Sequence, residues 1–310
     1  MKLGTVELAG GARPVAYLDE DRYLDLRWAF GSGRLAGSSS ESVPDAHTLT
    51  LVGVIEAGRG VLGGLKALLS SSLPDGAIIV ASEARLLAPI PLPRKNIFCV
   101  GRNYAGHIAE DNVSREKSTE IPKYPQFFTK PPTAVIGPGE DVLLHTGVTR
   151  RLDYEVELAV VIGRRGKNIS VADAKDYVYG YTILNDVTAR DLQARHDQWF
   201  KGKGLDGSAP MGPWIVTGDD IPDPQALQLF LSVNNQVRQD ASTSTMIFQI
   251  SEIISSLSQG LTLEPGDIIA TGTPSGVGYA MNPRQWLNDG DEIVCRIEPI
   301  GTLANRVRAI

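Results

Sequence analysis

The chain has 310 residues and only two cysteines, Cys99 and Cys295, both inside apolar, strand-like runs, NIFCVG and DEIVCRI. There a thiol serves as a small buried hydrophobe, so reduced cysteines in a cytoplasmic protein are expected. Blocks of consecutive basic residues are missing too, and the formal net charge is −6 with a pI near 5.3. Such a chain offers no phosphate-neutralising surface, which excludes nucleic acid as a partner. No stretch approaches about eighteen uncharged apolar residues. The start, MKLGTVELAGG, reaches a glutamate before an apolar leader region could form. Neither a membrane span nor secretion is expected. Fixed-period repeats are absent, which sets aside solenoids and propellers.

What is present is ordinary globular composition, 42% hydrophobic and 21% charged, long enough for a sizeable core and one subsidiary domain. Residues 1–88 hold a polar, strand-rich start, the flexible stretch GSGRLAGSSSESVPD and the helix-like HTLTLVGVIEAGRGVLGGLKALLSS, none with a chemistry-grade motif. In LLAPIPLPRKN, Pro89, Pro91 and Pro93 alternate, which forbids helix and favours an extended connector. The domain boundary is placed there, with a small N-terminal domain over residues 1–88 and a larger domain over 89–310. Beyond residue 95, short β-branched runs such as YTILND, GPWIVTG, LQLFLSVN and GDIIATG are punctuated by Gly, Pro, Asp and Asn. They predict an α+β domain, mainly β. Helices are expected over SVADAKDYVYG, VTARDLQARHDQWF and FQISEIISSLSQG, the first opening on a serine cap and the last ending on Gly260.

One stretch carries more charge than its setting allows. RLDYEVELAVVIG places Asp153, Glu155 and Glu157 at every second position ahead of an apolar run. On a strand these three point one way while Tyr154, Val156 and Leu158 point the other. An isolated E-x-E is commonly the solvated face of an edge strand. The following LAVVIG instead reads as a strand buried on both sides, where unpaired carboxylates cost about several kcal/mol each. A further oxygen donor, Asp186 in ILNDVTARDLQ, closes another apolar strand at the start of a helix, a position that N-caps also occupy. Together with the strand carboxylates it suggests a cation site. An all-carboxylate set selects Mg²⁺ or Mn²⁺ over Zn²⁺, with Ca²⁺ also admissible.

Four stretches, FCVGRNYAGHIAE, FFTKPPTAVIGPG, LDYEVELAVVIG followed by NDVTARDLQ, and GDIIATGTPSGVG, resemble in that order the fumarylacetoacetate hydrolase family, in particular its bacterial-type, acylpyruvase-like members. The resemblance runs from about residue 95 to 300. It implies a mixed β-roll fold, usually a homodimer, with a divalent metal held by Glu155, Glu157 and Asp186. Asp153 falls outside that ligand set.

His107 and Glu110 in GHIAED are i, i+3, a spacing that lets a carboxylate orient an imidazole on one helical turn; a surface turn with an incidental histidine has the same spacing. The resemblance implies that this pair activates water. Candidate cations for an oxo-acid are Arg102, Lys130, Arg190 and Lys203, and Gln193 lies i, i+3 from Arg190. The resemblance assigns Arg190, Gln193 and Lys203 to substrate contact and gives Thr273 a hydroxyl or N–H for the substrate carboxylate. Tyr104 is a further candidate for that cavity. KGKGLDG departs from the family's usual G-K-S-L-D, with Gly204 in place of a hydroxyl-bearing residue. TGTPSGVG matches neither the Walker nor the Rossmann pattern, which sets nucleotide binding aside.

The resemblance then implies a divalent-metal-dependent hydrolase that cleaves a carbon–carbon bond in 2,4-dioxo acids of the acylpyruvate or fumarylpyruvate type, as met in aromatic catabolism, with His107 and Glu110 activating water and the enolate held by the metal and by Lys203 as a further catalytic residue. The same site serves oxaloacetate decarboxylation and tautomerisation or isomerisation of hydroxymuconate-type acids. A non-catalytic oxo-acid or metal binder is the remaining alternative.

Overall fold

Every residue of the strand Val156–Ile162 is buried. Such a strand must satisfy its backbone on both sides from within the protein. It does so antiparallel to Val178–Asn185 on one side and to Ile268–Ala270 on the other. The computed structural model, which describes residues 1–35, 45–115 and 121–310, builds the remaining layers around this strand. Its side chains alternate between two cores. Val156, Leu158, Val160 and Ile162 face a cluster that includes Leu229, Leu231, Ile293 and Leu303 of a second sheet. Ala159 and Val161 face a cluster with Leu51, Val54, Leu62 and Leu65 of the N-terminal helices.

The large sheet has twelve strands. From its centre it runs through Val178–Asn185 and Ala209–Thr217 to the N-terminal strand Lys2–Leu8, and in the other direction through Ile268–Ala270 and Ile97–Gly101 to Gln126–Lys130. Residues 1–88 and 89–310 therefore share one sheet, joined where Lys2 and Leu3 register with Val216 and Ile215. The second sheet has five strands, built on Gln228–Val233, Glu292–Ile297 and Gly301–Ala309. With 35% strand against 24% helix the protein is α+β and mainly β.

The predicted helix over HTLTLVGVIEAGRGVLGGLKALLSS is two helices, Leu51–Glu56 and Gly60–Leu69, because Gly58 takes φ +79° between them. The helix expected over SVADAKDYVYG does not form. Only a 3₁₀ turn, Ala174–Tyr177, precedes Val178–Asn185, whose eight residues are all buried in the sheet, so tertiary burial overrides local propensity. VTARDLQARHDQWF splits into the short helix Arg190–Arg195 and a second, Phe200–Lys203. FQISEIISSLSQG forms the helix Ile250–Ser258, with Gly260 at φ +72° just beyond it. Most of GSGRLAGSSSESVPD lies outside the described residues.

Candidate active site

The start of Val156–Ile162 meets the ends of Val178–Asn185, Ile268–Ala270 and Ile97–Gly101 at one end of these interior strands, and the acidic residues collect there. Glu157 is cross-strand from Leu184, one residue before Asn185 and two before Asp186. RLDYEVE is not one continuous strand: Tyr154 and Glu155 lie in a break between Leu152–Asp153 and Val156–Ile162. The break is clamped. Glu155 N–H donates to Asn185 Oδ1 at 3.0 Å, and its carbonyl accepts from Asp186 N–H at 2.8 Å. Asp186 is not an N-cap; Ala189 takes that position for the helix Arg190–Arg195. The result is a buried triad, Glu155, Glu157 and Asp186, with one oxygen of each within 4.8 Å of the others.

Buried carboxylates this close need positive partners. Lys203 Nζ donates to Glu155 Oε2 at 2.8 Å and Asp186 Oδ2 at 2.6 Å. Arg190 Nη2 lies 2.7 Å from Glu155 Oε1. Lys130 Nζ donates to Asp186 Oδ1 at 2.8 Å, to Val187 O at 3.0 Å and to the carbonyl of Lys203. These partners divide the triad electrostatically. Burial opposes the charge of Glu155, yet Lys203 and Arg190 prevail and hold its carboxyl at about 2. Burial, with Asp186 and Glu155 alongside, pushes Glu157 well above the carboxylate range. Burial likewise works against the Lys203 ammonium, but Asp186 and Glu155 keep it above the usual lysine value. One carboxylate of three thus lacks neutralisation, and a divalent cation would supply it. The all-oxygen donor set suits a hard cation of the Mg²⁺, Mn²⁺ or Ca²⁺ type.

Asp153 is an anchor beside this cluster. Its Oδ1 accepts from the N–H of Tyr154 at 3.0 Å and of Gly278 at 2.8 Å; its Oδ2 accepts from Arg190 Nε at 2.8 Å and Tyr279 N–H at 3.2 Å. The carboxylate therefore aims Arg190 while tying the triad's strand to the glycine-rich loop. Arg190 also stacks over Tyr279, 4.3 Å from its ring centroid. Asp153→Asn keeps the shape but loses the charge that fixes Arg190. It is expected to lower kcat/KM about 10- to 100-fold, the range for disturbed outer-shell partners, as steady-state kinetics would show.

A cavity of about 390 Å³, open to solvent, lies over the triad. Arg102, His107, Arg190, Gln193, Lys203 and Thr273 line it with Glu155 and Glu157. Lys130 sits behind the triad, fully buried, and serves Asp186 rather than the cavity. Tyr104 is also absent from the lining. It is 1% exposed in the inter-sheet core, its hydroxyl without a hydrogen-bond partner among the described residues. The hydroxyl of Thr273 is already spent, donating to Val156 O at 2.9 Å and accepting from Gln239 Nε2 at 2.8 Å. His107 and Glu110 share the helix Ala105–Arg115, but Nδ1 stands 4.0 Å from Oε2. Both Glu110 oxygens instead accept from Gly276 N–H, at 2.9 Å each.

The domain described as fumarylacetoacetate (FAA) hydrolase C-terminal matches residues 96–308. The chain belongs to the fumarylacetoacetate hydrolase family. Across 99% of its length it is 44% identical to all of the oxaloacetate tautomerase YisK of Bacillus subtilis (strain 168). A mitochondrial oxaloacetate tautomerase of Bos taurus is 42% identical over 83% of this chain and 79% of that protein. Among solved structures, the fumarylacetoacetate hydrolase of psychrophilic Exiguobacterium antarcticum superposes with a TM-score of 0.80 at 38% identity, covering both chains fully. This family member is therefore an enzyme related to oxaloacetate tautomerases as well as to hydrolases.

Five further residues shape the site. Asn185 clamps Glu155, Gln239 accepts from Val156 N–H at 2.9 Å, and Tyr279, Trp199 and Phe128 line the cavity. Trp199 had a sequence signal, since it precedes Lys203 by four residues in QWFKGK. Gln239 had none. Gly204 also finds its reason: a Cβ there would lie 2.8 Å from Pro131 Cδ, and Ser208 Oγ donates to Lys203 O at 2.9 Å from elsewhere.

Proposed function

We propose that this enzyme is a divalent-metal-dependent oxaloacetate tautomerase, interconverting the keto and enol forms of a short 2-oxo dicarboxylate. The observation that carries the reading is the 44% identity to an oxaloacetate tautomerase over 99% of this chain and 100% of that protein. The site geometry supports it. Tautomerisation needs one proton moved at C3 and charge stabilised at the 2-oxo oxygen, but no activated water. Both Glu110 oxygens accept from the Gly276 N–H while the carboxylate stands 4.0 Å from His107, an arrangement that supports a proton-transfer role for His107 over water activation by the pair.

In this scheme Arg190, oriented by Asp153, and Gln193 donate to the substrate carboxylates, with Arg102 at the same cavity. The Lys203 ammonium faces the 2-oxo oxygen and donates to it as negative charge develops. His107, at the cavity wall, takes the C3 proton as the enolate forms and delivers it to the enolate oxygen to complete the enol, the reverse transfer restoring the keto form. A divalent cation bound by Glu155, Glu157 and Asp186 would supply Lewis acidity at the same oxygen.

The deciding assay follows enol absorbance after dissolving enol-oxaloacetate, with Mg²⁺ or Mn²⁺ and after EDTA treatment. Pyruvate release from oxaloacetate, acetylpyruvate and fumarylpyruvate is measured in parallel. The expected result is metal-dependent acceleration of the enol–keto exchange by at least about 10²-fold, the scale of one positioned proton-transfer group, with pyruvate release at the uncatalysed rate. The second reading, carbon–carbon hydrolysis, draws on the placement of His107 and Glu110 on one helix by the cavity and on the 38% identity to a fumarylacetoacetate hydrolase. Rapid pyruvate release from the diketo acids would establish it; rapid release from oxaloacetate would make the enzyme a decarboxylase.

A further inference from the structure

The reaction uses the polar half of the cavity and leaves an aromatic half without a task. Phe128 and Trp199 line it beside Val100 and Gly101. Trp199 caps the helix Phe200–Lys203, and its carbonyl accepts the Lys203 N–H at 3.0 Å, so the indole stands one turn from the ammonium. Phe128 bridges them. Its ring centroid is 5.0 Å from Lys203 Nζ and 5.5 Å from that of Trp199, the rings inclined at 67°. The indole also has a prepared seat. A Cβ at position 101 would come 2.3 Å from Trp199 Cζ3 and 2.9 Å from Cη2, so the ring fills space that only glycine leaves. Trp199 is nevertheless partly exposed, which puts it at the mouth of the cavity rather than in the core.

We infer that Trp199, backed by Phe128 and seated on Gly101, sets the length of acid the enzyme accepts and restricts it to four-carbon 2-oxo dicarboxylates. The substrate class rests on the tautomerase reading above; the wall does not. A carbon chain leaving the triad past the Lys203 ammonium meets Phe128 and then the indole. A four-carbon acid ends among Arg190, Gln193 and Arg102, where its second carboxylate is compensated. Each added methylene pushes that carboxylate onto ring faces, which are the negative side of an aromatic quadrupole and offer no donor. The edge-to-face pair and the glycine seat hold the indole in place, so the wall does not yield as a loose side chain would.

The test is calorimetric titration of the Mg²⁺-loaded enzyme with oxaloacetate, 2-oxoglutarate and 2-oxoadipate. Wild type is compared with Trp199→Ala, Trp199→Phe and Gly101→Ala, each first shown to fold by its Mg²⁺-induced thermal stabilisation. For wild type, affinity is expected to fall about tenfold or more per added methylene. In Trp199→Ala the fall should vanish, with the six-carbon acid gaining at least about tenfold; Trp199→Phe should be intermediate and Gly101→Ala should alter the same profile by unseating the indole. An unchanged chain-length profile in both Trp199 variants overturns the inference, even in an active tautomerase. A profile that relaxes in Trp199→Ala upholds it, even in an enzyme without oxaloacetate tautomerase activity, in which case only the reaction has been misread.

Discussion

Glu157→Gln should abolish the enzyme's response to divalent cations and leave the metal-free protein at least as stable as wild type, whereas Glu155→Gln should cost both. The two residues differ in company. Glu157 is flanked by Asp186 and Glu155, and its Oε2 accepts the Gly272 N–H at 2.7 Å. An amide keeps that acceptor and removes a buried like charge. Glu155 is held by Lys203 at 2.8 Å and Arg190 at 2.7 Å, and its neutralisation takes one carboxylate partner from each of two buried cations, leaving Lys203 only Asp186 and Arg190 only Asp153. Breaking a buried ion pair from one side costs about 3–5 kcal/mol. Both variants should lose about 10³-fold or more in activity, because Lewis-acid stabilisation contributes several kcal/mol and about 1.4 kcal/mol is a factor of ten. Thermal melts with EDTA and with excess Mg²⁺, beside the enol–keto assay, read all these quantities. Equal destabilisation of the two metal-free variants would contradict this division of charge.

Lys203→Met should give the second large effect, with opposite signs for catalysis and metal binding. The ammonium bridges Glu155 and Asp186 at 2.8 and 2.6 Å, so it both satisfies the metal-free triad and competes with any cation for those oxygens. Its removal is expected to lower turnover about 10²- to 10³-fold, the scale for losing a preorganised donor to developing negative charge. Metal-free stability should fall as the two carboxylates lose their shared partner. Mg²⁺ affinity, measured by calorimetry, should rise. Weaker Mg²⁺ binding in the variant would mean that Lys203 supports the cation site rather than competing with it.

Several parts of this site were legible because strand geometry writes itself into spacing. Val156 and Leu158 belong to one core, as alternation required; Tyr154 joins that core and Glu155 joins Glu157 in the triad even though both lie in the break before the strand. Asp186 was visible at the end of ILND, though not why it is there. Its N–H bonds back to the carbonyl of Glu155, a contact across 31 positions that no local pattern records. SVADAKDYVYG misled for the same reason in reverse, since helix-forming residues at its start run into a strand that the sheet needs.

The sequence by itself determined the residue types, the buried central strand and the membership of a family whose stretches recur in order, because these depend on side-chain periodicity and local chemistry. Tertiary structure alone decided which charges meet. It turned Lys130 behind the triad, withdrew Tyr104 into the core, spent Glu110 on Gly276 and set an indole against a glycine 98 residues away. The physical reason is that desolvation makes every buried charge and donor find a partner, and which partner is near is settled by strand order and crossover, not by neighbours along the chain.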